Sequence, residues 1–466
     1  MKQAPHIDKQ QAPQTPAQNQ PIKWVFFAFI LLFISLPLIQ NRLGLFEEKP
    51  LHGKQEAAPA PEIKWSTWFD GSLQQGADRY LNENFGFRKS LVRLHNQLRF
   101  SLFSEARSHD VIVGEDSYLF GGSYIRAYFG ADWIGRDSID NQVARLKILH
   151  ERLAAHGSHL VMVVAPGKAS FFPEHIPSYF EDRYGPPGET NYKYYTQRLN
   201  EEGIPLIDMQ SWFISMKDTS RFPLFTRGGI HWTYPASFLV NDSLLHYMEG
   251  VLGKDLPEVP WRLTGEDSVH ADDRDLELTL NLMGELDAEG TSVPKYDVKA
   301  KGKHRPAVLT MADSFWWTIY SKGIPIRAYG GHQFWYYGAE VFRQGQPMRS
   351  ATNFHLGTEL RKHDVVILLC TEPKLKGFAW GFLQRAVEEI DEFPERDTLR
   401  QAFIEGEIRS MRSSEKWLKA LEAKAEKWNM PLDSVLYQDA VYMWEKKKDQ
   451  IRKAAREKAV LNPRDQ

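Results

Sequence analysis

Three short, almost uninterrupted apolar runs constrain this chain more than any other feature: Leu160-Val161-Met162-Val163-Val164, Ala307-Val308-Leu309-Thr310-Met311 and Val365-Val366-Ile367-Leu368-Leu369-Cys370. Each is strand-length, and none alternates with polar residues. A strand with one wet face alternates, so these runs predict strands buried on both faces, the pattern of a parallel sheet covered by helices. Pro205-Leu206-Ile207-Asp208 reads as a further strand. Helical spacings separate the runs: Val143, Leu146, Leu149 and Leu153 on one face, then segments about 190–202 and 233–248. The expectation is an α/β fold with a parallel sheet flanked by helices.

The ends of the chain have a different character. Residues 1–22 are polar and rich in Gln and Pro, as in a disordered tail. Trp24 to Ile39 carries no charge and is bracketed by Lys23 and Arg42. Its length is near the lower limit for a spanning helix. A cleaved signal peptide would need a small-residue cleavage site, which this stretch lacks, so an uncleaved single-pass anchor over 23–41 is favoured. Lys2, Lys9 and Lys23 precede it and orient the N-terminus to the cytoplasm. The chain would then sit in the inner membrane with its bulk extracytoplasmic, in a periplasm. A linker over 42–64 leads to the α/β domain over 65–385. Residues 386–466, rich in Glu, Lys and Arg with Ile404, Ile408, Trp417, Leu418, Leu421 and Trp428 at helical spacing, predict a charged helical appendage.

Composition narrows the function classes. A net charge of −2 gives no basic field for nucleic acid. The single cysteine, Cys370, excludes intramolecular disulfides and a multi-cysteine zinc site. No metal and no cofactor is expected.

Ligand sites in such sheets lie beyond the carboxyl ends of the strands. Three strand ends carry reactive or turn-forming residues: Ala165-Pro166-Gly167-Lys168, Asp313-Ser314-Phe315 and Thr371-Glu372-Pro373. Ser314 at a strand-to-helix turn suits a nucleophile, although a helix N-cap is the plainer role for the tripeptide alone. A serine hydroxyl needs a base, and Gly228-Gly229-Ile230-His231-Trp232 delivers an imidazole just before a helix. Aromatic residues crowd nearby at Trp316, Trp317 and the run Phe334-Trp335-Tyr336-Tyr337. Trp335, Tyr336 and Tyr337 are candidate sugar-binding rings, with core packing as the alternative. Lys168 either contacts a polyanionic substrate or snorkels at a strand end.

From about Tyr80 to Glu389 the chain resembles the SGNH-hydrolase-like polysaccharide O-acetyltransferases of AlgJ/AlgX type. The resemblance rests on Asn84-Phe85-Gly86-Phe87-Arg88, Gly114-Glu115-Asp116-Ser117-Tyr118-Leu119-Phe120, Ala165-Pro166-Gly167-Lys168-Ala169, Gly229-Ile230-His231-Trp232 and Ala312-Asp313-Ser314-Phe315. It implies a circularly permuted SGNH order, in which the His-Trp motif precedes the nucleophile segment. It also implies an acyl-serine mechanism, with Ser314 as nucleophile and His231 as base, a polysaccharide acceptor and a membrane-bound O-acyltransferase partner. The family pattern Asp-x-His-Trp has Gly229 at the place of the orienting acid. Asp208, Asp273 or Asp275 is then the candidate acid, with Glu372 a further alternative. A Ser–His dyad remains open too. Two other functions use the same features: a carbohydrate esterase with water as acceptor, and a non-catalytic glycan-binding scaffold.

Overall fold

The computed structural model describes residues 20–53, 58–264, 270–286, 291–344, 346–391, 395–428 and 430–461. Residues 1–19 of the expected tail lie outside them. Contacts divide the chain into two compact units: residues 1–108 with 277–285, and residues 109–276 with 286–466.

The N-terminal unit is helical. Helix α1 (Gln20–Leu43) contains a stretch, Pro21–Leu43, with mean hydropathy 2.4 and none of its best window buried. Helices α2 (Trp65–Phe69), α3 (Ser72–Asn84) and α4 (Arg88–Phe103) follow. The α3–α4 corner is pressed against the end of α1. A Cβ on Gly86 would lie 2.2 Å from the Pro37 carbonyl oxygen and 2.7 Å from the Asn41 nitrogen, so only glycine fits. Phe87 then adopts a left-handed φ of 62° to start α4. Part of the expected linker is tied down on these helices. Glu48 accepts from the amide (2.8 Å) and hydroxyl (2.6 Å) of Ser90, and Arg93 donates to the carbonyls of Lys49 (3.0 Å) and Pro50 (2.9 Å).

The second unit holds the sheet. A hairpin, β1 (Val111–Val113) and β2 (Leu119–Gly121), precedes it, and a short pair, β5 (Trp261–Arg262) and β6 (Lys295–Tyr296), lies beside it in sequence. The main sheet comprises β3 (His159–Ala165), β4 (Leu206–Asp208), β7 (Ala307–Ala312), β8 (Gly331–Tyr336), β9 (Glu340–Arg343), β10 (Arg349–Ser350) and β11 (Val365–Thr371), in the order β10-β9-β8-β7-β11-β3-β4. The strands from β8 through β4 are parallel. The sheet is not parallel throughout, however. A turn at Tyr337-Gly338, both at positive φ, folds β9 back antiparallel on β8, and β10 pairs antiparallel with β9.

The three apolar runs are β3, β7 and β11, adjacent at the centre. Val161, Val163, Ile367 and Leu369 face one core; Leu160, Met162, Val366, Leu368 and Cys370 face the other. The helix Tyr234–Leu252 contributes Phe238, Leu244 and Met248 to the first core. The helix Arg136–Ala155 contributes Ile139, Val143, Leu146, Leu149 and Leu153 to the second. Each such side chain, fully buried, stabilises the fold by about 1.5–3 kcal/mol. From β3 the chain steps outward to β4; from β7 it steps the opposite way to β8, with β11 between them. That reversal is where ligand sites form in open α/β sheets.

The charged C-terminal region forms three helices, Glu395–Ser413, Glu415–Trp428 and Leu432–Leu461, around their own core of Ile404, Met411, Leu421, Val435, Leu436 and Val441.

Candidate active site

The carboxyl end of β7 delivers Asp313 and Ser314. Asp313 is fully buried and already committed. Its Oδ1 accepts from the Phe315 amide at 3.1 Å and its Oδ2 from the Thr371 amide at 2.8 Å, with the Thr371 hydroxyl donating as well. It therefore caps the 3-10 turn Ser314–Trp316 and staples the ends of β7 and β11 together. Burial pushes its carboxyl up, and the Thr371 bonds hold it back. Ser314, half-buried, follows directly.

His231 arrives on a braced loop. Phe225 and Trp232 form a bridge, the Trp232 indole N–H donates to Thr318 Oγ1 at 2.6 Å, and Thr233 caps the following helix. From below, the fully buried Lys168 donates to the carbonyls of Arg227 (2.7 Å) and Gly229 (2.6 Å). Burial depresses its ammonium to about 7, against the opposing pull of the Asp275 charge.

The braced imidazole joins two partners. His231 Nε2 lies 2.8 Å from Ser314 Oγ, and Nδ1 lies 2.6 Å from Asp275 Oδ2. The second Asp275 oxygen accepts from the amides of Ile230 and Leu276, both at 2.8 Å. Desolvation alone would lower the His231 pKa; the hydrogen bond and charge of Asp275 outweigh it and raise the pKa above the usual value. The His231 side chain remains 18% exposed, so the site opens to solvent. A serine, an imidazole and a carboxylate in this order can activate the hydroxyl, hold the correct tautomer and stabilise the imidazolium that forms.

Of the three candidate acids, Asp275 alone meets His231. Asp208 caps Ser211 (3.0 Å) and accepts from the Tyr192 hydroxyl (2.7 Å). Asp273 is buried and accepts from Thr291 Oγ1 (2.7 Å) and the His270 amide (3.2 Å). Glu372 is buried against Ser170 and Gln210, and burial lifts its carboxyl to about 7. Gly229 also has a physical reason. A Cβ there would lie 2.7 Å from Thr226 Oγ1, 2.8 Å from the Asp273 carbonyl and 3.0 Å from the Asp272 carbonyl. The segment that brings Asp275 occupies the space an aspartate side chain at 229 would need.

The aromatic run divides by face. Trp335 is only 1% exposed, turned into the second core with its indole N–H on Gln333 at 3.1 Å, and presents no ring to a ligand. Tyr336 is half-buried against Trp317, with ring centroids 5.5 Å apart. Tyr337 is held at a φ of 49°, a conformation non-glycine residues adopt at a cost and often at functional sites. Burial and the Asp313 charge push its phenol up to about 12, while the neighbouring Ser314 pulls it back. Lys168 neither snorkels nor reaches a substrate, being sealed under the His231 loop. Tyr124, also buried, feels the charges of Asp313 and Asp275; nothing in its sequence surroundings signals that neighbourhood.

The model of the "SGNH hydrolase-like domain, acetyltransferase AlgX" family matches residues 111–269, a span that includes His231 and stops short of Asp275 and Ser314. A Pseudomonas putida protein named "Probable alginate O-acetylase AlgJ" is 23% identical over 167 residues, covering 36% of this chain and 41% of the relative. Its namesake from Pseudomonas aeruginosa is 24% identical over 221 residues, covering 47% and 50%. This chain thus spans half or less of the length of these curated relatives. The solved O-acetyltransferase domain of Pseudomonas putida AlgJ aligns over 60% of this chain and 98% of that domain, at 14% identity and a TM-score of 0.36. Over residues 111–269, then, the chain is similar to the SGNH hydrolase-like acetyltransferase domain of AlgX, and over part of its length to the AlgJ proteins.

Proposed function

We propose that this chain is a membrane-anchored O-acetyltransferase that esterifies hydroxyls of an extracytoplasmic polysaccharide through an acyl-Ser314 intermediate. The observation that carries the reading is the continuous Ser314–His231–Asp275 chain, at 2.8 and 2.6 Å. His231 Nε2 takes the Ser314 proton as Oγ attacks the carbonyl carbon of an acyl donor. The tetrahedral intermediate collapses, the leaving group departs with that proton, and the acetyl group stays on Ser314 as an ester. A sugar hydroxyl then gives its proton to His231 and attacks the same carbonyl; the acetyl passes to the sugar and the proton returns to Oγ. Asp275 holds Nδ1 protonated throughout. In this reading Tyr337, whose phenol feels Ser314, is the candidate donor to the oxyanion.

The polysaccharide acceptor is supported by the names of the relatives, and the anchor by the apolar helix α1. In this reading α1 holds the enzyme in the inner membrane with its α/β unit outside, where a membrane-bound O-acyltransferase supplies the acyl group. Ser314→Ala, expressed in the native host at wild-type level, tests it: envelope polysaccharide is expected to lose its O-acetyl groups, measured by NMR of the purified polymer. Unchanged acetylation sinks the proposal.

A further inference from the structure

Helix α4 is solvated the wrong way round. Its buried residue is Asn96, whose side-chain amide donates to the Leu280 carbonyl at 2.8 Å. Leu91, Leu94, Leu98 and Leu102, spaced three, four and four residues apart, are between 43% and 68% exposed. Phe103 continues the same apolar end at 64%. Scattered exposed leucines are ordinary, but four in one stripe opposite a buried amide are not. Nearby in sequence, α2 leaves Trp65, Trp68 and Phe69 exposed at 82%, 56% and 80%.

Two observations indicate what covers this stripe. The first is continuity with α1. Gly86, two residues before α4, packs closely on the backbone of Pro37 and Asn41 and on the Gln40 side chain in the last turns of α1, and the rings of Phe46, just beyond α1, and Phe87 lie tilted with centroids 6.0 Å apart. The start of α4 therefore lies where α1 would leave a bilayer. The second is charge. Along the sequence no carboxylate lies between Glu83 and Glu105, whereas α4 carries Arg88, Lys89, Arg93 and Arg99, of which Arg99 pairs with Glu105. Arg93 is held by the carbonyls of Lys49 and Pro50, which carry no net charge to neutralise it, and Arg88 by the Asn82 carbonyl within reach of the Glu83 charge. Leucines on one face, Arg88 and Arg99 on its flanks, Lys89 and Arg93 on the opposite face, and Trp and Phe nearby in sequence make up the composition of a helix lying in a membrane interface.

We propose that α4 lies in the headgroup region of the membrane that α1 spans, with Leu91, Leu94, Leu98 and Leu102 in contact with lipid and the helix's excess positive charge close to anionic headgroups. This rests on the reading of α1 as a membrane anchor. It makes the N-terminal unit a two-point attachment, with a span and an interfacial helix, which restricts the swivel of the chain about a single helix.

The test uses the full chain in vesicles of phosphatidylethanolamine and phosphatidylglycerol, with a polarity-sensitive fluorophore on one introduced cysteine; the native Cys370 is buried. With a lipid-borne quencher, Leu98→Cys and Leu102→Cys are expected to lose about half their emission, and Ser413→Cys on a C-terminal helix to lose none. Ile30→Cys reports the anchor separately. Quenching at Ile30 without quenching at Leu98 overturns the inference and leaves the anchor standing. Blue-shifted, unquenched emission at Leu98 also overturns it, because a protein then covers the stripe. An unquenched Ile30 removes the anchor and the inference together.

Discussion

In the α/β unit, groups that prefer water are sealed away from it: Lys168 and Asp313 at 0% exposure and Glu372 at 3%. In the N-terminal unit the inversion runs the other way, with Leu98 half exposed and Trp65 at 82%. Both cost free energy in a water-soluble monomer, for opposite reasons. In the first, the cost is offset inside the molecule. Lys168 has two carbonyls, Asp313 has Thr371 and Phe315, and Glu372 has Ser170 and Gln210. In the second, nothing among the described residues covers the leucines, so the compensation has to come from outside. Buried polar groups here fix a site, and exposed apolar groups fix a location.

The sharpest way to break the comparison is to ask whether buried carboxylates near His231 are interchangeable. Asp275→Asn removes the charge that orients the imidazole and is expected to lower kcat about 10⁴-fold, with little change in thermal stability. It also lowers the His231 pKa, because the Asp275 bond and charge that raise it are gone. A neutral base is needed, so the acid limb of the kcat/KM profile moves to lower pH while the plateau falls. Asp273→Asn, on Thr291 rather than His231, is expected to cost stability and leave that limb in place. An Asp273 variant with the Asp275 phenotype would mean the catalytic chain has been assigned to the wrong acid.

How much of this was legible beforehand follows from what each signal encodes. The central strands β3, β7 and β11 were readable because burial on both faces leaves an apolar run in the sequence. The antiparallel edge was not, since it hangs on Tyr337 and Gly338 taking positive φ, and a tyrosine gives no warning of that. Ser314 and His231 stand where the strand ends and motifs placed them. The acid remained one of three, because Asp273 and Asp275 lie two residues apart on a 3-10 turn that runs into a helix, and only tertiary packing separates their directions. Trp335 could have been excluded: alternate strand residues face opposite sides, so Trp335 and Tyr336 cannot share a platform. Nothing in Gly167-Lys168-Ala169 discloses that Lys168 is roofed by the His231 loop.

The buried charges themselves give a prediction of intermediate size. Lys168 titrates near 7 when folded and about 10.4 when unfolded, so between those values the unfolded chain holds the extra proton and stability rises with pH. Glu372 titrates near 7 when folded and about 4.3 when unfolded; there the folded chain holds the extra proton and stability falls as pH rises. The two slopes meet in a stability minimum near neutrality, visible in Tm measured from pH 5 to 10. Lys168→Met should flatten the alkaline rise, and Glu372→Gln the acid-side fall. Lys168→Met also strips the Arg227 and Gly229 carbonyls of their donor, at about 1–3 kcal/mol each, and loosens His231 enough to lower kcat about 10²-fold. A Tm that changes monotonically across this range, the same in wild type and both variants, would deny these groups their buried character.

The smallest expected effect isolates the exposed leucines. Leu146 and Leu98 are the same residue on two helices, one at 0% exposure in the second core and one at 50% on α4. Leu146→Ala removes packed methyl groups and is expected to cost about 2–5 kcal/mol of folding stability. Leu98→Ala in detergent micelles, measured by urea unfolding of the full chain, is expected to stay within about 0.5 kcal/mol of wild type, because the side chain packs against no protein core. A loss approaching that of Leu146 would show that Leu98 is buried by the chain itself or by a second copy. The stripe would then be a protein contact, and the contrast between an inward-facing and an outward-facing apolar surface would collapse. A null result has the opposite weight: whatever α4 is built to touch, its folding does not depend on it.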